Sequence, residues 1–176
     1  MFSNFSDGLN KGLFDEKEKP TKPTNSETDL WRDAPIISRY TRRQAIEDGV
    51  LVQLSGSGYV GDEWIPKMCR EAGFNFPIAM TTEVFFDCVD VHKNADNAMC
   101  DIEGRLWDIL WMIKLAIKRS RSQSEILFKL QCVVDAKSGH RRSRSPNRPS
   151  EIVLKCVCGP DDDASPCLTI MWPEQD

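Results

Sequence analysis

Residues 104–120 read GRLWDILWMIKLAIKRS, and this stretch restricts the fold more than any other. Leu106, Ile109, Leu110, Ile113 and Ile117 recur at the spacing that places side chains on one face of an α-helix. Trp107, Trp111 and Leu115 form a second apolar strip. A helix apolar on two sides is expected in the core, packed on both flanks. Its basic end, Lys118, Arg119 and Arg121, suits the negative pole of the helix dipole. Asp108 and Lys114 interrupt the apolar run, which is shorter than the ~20 residues that span a bilayer. No secretory pattern opens the sequence, so a cytoplasmic location away from membranes is expected.

Three strand-like runs follow that helix: EILFKLQCVV, EIVLKCVC and CLTIMW. They carry β-branched residues and alternate in polarity, which predicts an antiparallel meander. Ahead of the helix, TRRQAIEDG carries a capping-box pair, Thr41 and Gln44, and a left-handed stop at Gly49. VLVQL after it reads as extended. EWIPKMCREAGF predicts a second short helix closed by Gly73, and TTEVFFDCV a third, with Thr81 as N-cap and Glu83 in the first turn. The expected class is α+β, with several short helices and one long buried helix packed on a C-terminal antiparallel β-meander. Residues 1–30 are polar and proline-containing and are expected to form a disordered or partner-docking tail. Residues 31–176 are expected to form one globular domain.

Few motifs carry chemistry. The chain has seven cysteines, an odd number with no secretory context, expected to pack as reduced thiols. Cys156 and Cys158 are two apart on a strand and should face the core together with Ile152 and Leu154. With Cys167 they lack a fourth nearby ligand for a structural zinc site. GPDDDASP is expected to be a turn; Asp161–Asp163 lack the spacing of a calcium-binding loop. His92 and His140 both fall in polar loops, and a Cys88/His92 couple has no third group to orient it. SGSGYVG lacks the ending of a phosphate-binding loop. No catalytic residue, metal or cofactor is therefore expected. The formal net charge of -4 argues against a protein that coats nucleic acid. The basic loop AKSGHRRSRSPNRPS, with Lys137, Arg141, Arg142, Arg144 and Arg148, is the strongest local charge signal and suits phosphate contact.

Four stretches in order, YTRRQAIEDGVLV, REAGFNFPIAMT, GRLWDILWM and CGPDDDASPCLTIMWPEQD, resemble an uncharacterised domain-of-unknown-function family found in bacteria, their plasmids and their phages. The resemblance runs from Ile36 to the C-terminus and carries no assigned catalytic residues. It implies a small accessory protein of mobile elements. The expected function is a non-enzymatic binding protein that inhibits a host defence or regulatory factor, by binding either that protein or its nucleotide-derived signal. Candidate contact residues are Arg141, Arg142, Arg144 and Arg148 in the basic loop, Tyr59 and Trp64 for stacking on a base, and the acidic pair Glu47 and Asp48. The alternatives are a small nucleotide-processing enzyme using Glu47, Asp48 or Asp161, and a nucleic-acid-binding accessory protein acting through the basic loop.

Overall fold

A computed structural model describes residues 40–91, 101–120, 123–135, 138–140 and 148–175. The expected tail of residues 1–30 lies outside these, as do His92, Cys100, Arg141, Arg142 and Arg144.

Helix α1 spans Arg42–Glu47 and opens with the expected capping box: Gln44 N donates to Thr41 Oγ1 at 3.1 Å, and Thr41 N to Gln44 Oε1 at 2.9 Å. It ends in a Schellman motif at Gly49, φ 73°, where Gly49 N reaches Ile46 O and Val50 N reaches Ala45 O. Strand β1, Leu51–Ser55, follows directly. Helix α2, Trp64–Glu71, closes in the same way. Gly73 takes φ 91°, its N–H bonds Arg70 O, and Phe74 N bonds Cys69 O. Two xGΦ endings, with a glycine followed by an apolar residue, thus release the chain into the sheet twice.

Strand β2, Ile78–Thr81, has no forerunner among the sequence expectations. Thr81 then holds the N-cap position of a short helix α3, Thr82–Val84, without a side-chain cap bond, and the helix widens into a π-helical turn at Phe85–Val89. Helix α4 covers Ile102–Arg119; Asp101 caps it by accepting from Gly104 N at 2.7 Å. Strands β3 (Glu125–Cys132), β4 (Ser150–Pro160) and β5 (Pro166–Met171) form the expected antiparallel meander. The meander is part of a larger sheet of order β1-β2-β5-β4-β3, in which β2 and β5 run parallel. The fold is α+β, with a long helix packed on a five-stranded mixed sheet.

One face of the sheet carries the core. Leu54, Ile78, Met80, Phe128, Leu130, Ile152, Leu154, Leu168 and Ile170 meet Leu106, Ile109, Leu110 and Ile113 of α4 and Ile65 and Cys69 of α2. Helix α4 is buried on that side only, which corrects the expectation of two buried flanks. Trp111 is 43% exposed and Ile117 37% exposed. Trp107, partly buried against the core, stacks on Trp111 at 6.1 Å, and Lys114 Nζ lies 5.1 Å over the Trp111 ring. The indole surfaces are thus partly covered by one another and by the lysine ammonium.

Candidate functional site: an apolar cavity and a polar centre

A cavity of about 420 Å³ opens between the end of α2, the second half of α4 and the start of β3. The Schellman turn at Gly73 directs Phe74 and Phe76 to it: Phe74 is buried and Phe76 is 49% exposed at the mouth. Ile117 and Ile126 line the sides, and Leu168, Cys156 and Cys158 come from the sheet. Lys114 and Lys118, one helical turn apart, stand along the α4 wall; Asn75, Gln123 and Ser124 add hydrogen-bonding groups. Gly73 is required here twice. Its left-handed φ disfavours a side chain, and a Cβ would meet Lys114 Nζ at 3.3 Å.

Cys156 and Cys158 share a strand face, as the alternation predicts, but Cys158 is exposed, contrary to expectation. It lies beyond Val157, where β3 ends its pairing with β4, so α4 and β3 no longer cover it. Burial, reinforced by Cys158, pushes the Cys156 thiol up to about 12. It stays protonated and belongs to the apolar floor.

The other expected contact residues fall elsewhere. Glu47 lines a groove of about 660 Å³ with Ser57 and Gly58 of the glycine-rich loop and with Asp161, Asp162 and Asp163. Asp48 accepts from Tyr40 Oη at 3.0 Å. Tyr59 folds back on its own loop, with Oη donating to Asp62 O at 3.1 Å and lying where a Cβ on Gly61 would stand. Trp64 is half-buried against the core. These two rings are therefore partly covered. Arg148 is exposed just before β4.

A second constellation was not foreseen. At the end of the sheet beyond β5, Glu83, Asp87 and His140 place ligand-type atoms within 4.8 Å of one another. His140 Nε2 lies 3.2 Å from Glu83 Oε1, and its Nδ1 2.9 Å from Glu174 Oε1. Ser138 Oγ donates to Asp87 Oδ2 at 2.5 Å, and Gln175 Nε2 to Glu83 Oε2 at 2.7 Å. Gln175 Oε1 also accepts from Thr81 Oγ1 and from Trp172 N, both at 2.9 Å, and its backbone carbonyl accepts from Lys155 Nζ. The imidazole stacks on Trp172, centroids 4.1 Å apart. Burial raises the Asp87 carboxyl above its usual range, with the Ser138 hydroxyl opposing. The i, i+4 spacing of Glu83 and Asp87 was the one readable signal of this centre; His140 arrives from a distant loop.

The motifs of the resemblance serve different parts of the fold. MWPEQ supplies Trp172, Glu174 and Gln175 to the polar centre, REAGF shapes the cavity, and Asp162 of CGPDD contacts the start of α1. Comparison with curated proteins and with solved structures gives no match. A family model matches residues 28–176, and on that match the chain belongs to DUF6573, a family of unknown function.

Proposed function

We propose that this protein is a non-enzymatic binding protein of a mobile element, phage or plasmid, that inhibits a host defence or regulatory factor by holding that factor's nucleotide-derived signal. The observation that carries the ligand class is the composition of the cavity beside α4. Its floor is apolar, with Phe74, Ile126 and Leu168, and suits a nucleobase. Lys114 and Lys118 stand on one wall as point charges for phosphate, and Asn75 and Gln123 offer both donors and acceptors to a base edge. The mobile-element setting rests on the sequence resemblance alone, and the inhibitory role on that setting.

Thermal shift with linear, cyclic and oligomeric nucleotides tests the ligand class. A ligand at 100 times its Kd stabilises the folded state by about 2.7 kcal/mol, a readable rise in Tm. The paired charge reversal Lys114→Glu/Lys118→Glu is expected to abolish the rise. Should no nucleotide shift the transition while a purified host protein is captured in a defined complex, the ligand is the protein and not its signal.

A further inference from the structure

We propose that Glu83, Asp87 and His140 bind one divalent transition-metal ion of the zinc or manganese class. The inference is independent of the cavity and its ligand.

The geometry is that of converging ligands. Metal–ligand bonds of about 2.0–2.2 Å place neighbouring ligand atoms roughly 3–3.5 Å apart. His140 Nε2 and Glu83 Oε1 are 3.2 Å apart, and all three residues offer atoms inside 4.8 Å. Glu83 and Asp87 reach the same point because they are four residues apart on one helical face, across the π-helical turn at Phe85–Val89.

A metal bound through Nε2 would leave the imidazole proton on Nδ1, where the Glu174 carboxylate, 2.9 Å away, accepts it. Nε2 and Glu83 Oε1 would then both turn lone pairs to the ion.

Each proposed ligand is held on its far side by a second group. Glu174 holds the imidazole, Gln175 Nε2 holds Glu83 Oε2, and Ser138 Oγ holds Asp87 Oδ2. Such outer partners orient ligands and fix the histidine tautomer in metal sites. Trp172, 3% exposed, backs the imidazole with its ring, the centroids 4.1 Å apart. Two carboxylates and one neutral imidazole balance a 2+ charge. The mixed nitrogen and oxygen set favours zinc or manganese over the all-oxygen cages of calcium. Three protein ligands leave positions for water.

The test is calorimetric titration of chelator-treated full-length protein with Zn²⁺, Mn²⁺ and Co²⁺, with the visible absorption of the cobalt form as a second readout. One ion per chain is expected. His140→Ala and Glu83→Gln are expected to weaken binding at least 100-fold, and Glu174→Gln about 10-fold through the imidazole it orients. Circular dichroism checks that each variant is folded; Glu83→Gln, half-exposed and isosteric, serves if His140→Ala is not. Absence of binding of all three ions overturns the proposal and leaves an imidazolium clamped between two carboxylates. Binding that survives both Glu83→Gln and Asp87→Asn overturns it too, and places the ion elsewhere.

Discussion

The carboxylate of Asp162 closes the helix that begins at Arg42, 120 residues earlier in the chain. Its Oδ1 accepts from Arg42 N at 2.8 Å and its Oδ2 from Arg43 N at 3.0 Å. Thr41 Oγ1 serves Gln44 N, so the first three N–H groups of α1 are satisfied and the negative charge meets the positive helix end. Arg42 returns the contact: its guanidinium donates to Thr169 Oγ1 at 2.7 Å and to Leu168 O at 3.0 Å on β5. Asp162→Ala is expected to cost about 1–2 kcal/mol, read as a lower urea midpoint at unchanged slope. Asp162→Asn, which keeps one acceptor, should lose less.

Gly73→Ala tests the turn that builds the cavity. Alanine is strained at φ 91°, and its Cβ would crowd Lys114 Nζ. The expected loss is roughly 1–2 kcal/mol, since the left-handed region disfavours a Cβ by about that amount. Nucleotide binding should weaken beyond what the stability loss explains, because Lys114 is displaced from the wall. Calorimetry below the transition separates the two effects.

The two sides of α4 should respond unequally to truncation. Ile109 is fully buried, and Ile109→Ala is expected to cost about 2–5 kcal/mol. Trp111 is 43% exposed, and Trp111→Ala should cost less than Ile109→Ala in spite of removing a larger side chain. Denaturant unfolding of both variants checks the order; the reverse order would mean that the indole strip is covered.

The thiols predict both reactivity and a pH dependence. In the folded protein, alkylation near pH 8 should modify Cys158, which is exposed, and spare Cys69 and Cys156. Peptide mapping before and after denaturation reads this directly. Burial pushes Cys69 up to about 11 and Cys156 up to about 12, against 9.0 for a free thiol. Above pH 9 the unfolded chain loses these protons first, so the folded state holds more protons and stability falls as pH rises, until about pH 11–12 where the folded thiols also ionise. Each thiol adds a slope of at most about 1.4 kcal/mol per pH unit. Cys69→Ala/Cys156→Val should flatten the alkaline limb of a stability–pH curve.

Local signals carried the local structure. The capping box at Thr41, the glycine stops at Gly49 and Gly73, the period of α4 and the alternation of β3 to β5 were all legible because each is written within a few neighbouring residues. Strand β2 was not: IAMT is four residues long, buried at its first three positions, and has no alternation to show. Its parallel partner β5 lies near the other end of the chain. The alternation placed Cys158 correctly on a face, yet could not show that the cover stops at Val157. His140 read as a polar-loop residue because Glu83 on one side and Trp172 and Glu174 on the other, which surround it, come from two distant segments.

The position of β5 also orders events during synthesis. It is the middle strand of the five, hydrogen-bonded to β2 on one side and β4 on the other, yet it is made last. While the ribosome adds residues at about 5–20 per second, the β1–β2 pair and the β3–β4 pair are separate half-sheets, each with an open edge facing the gap. Neither can close over its apolar side before Pro166–Met171 is in place. An interval on the order of a second therefore exists in which the nascent chain presents two unpaired strand edges, and in which chaperone capture or aggregation competes with folding.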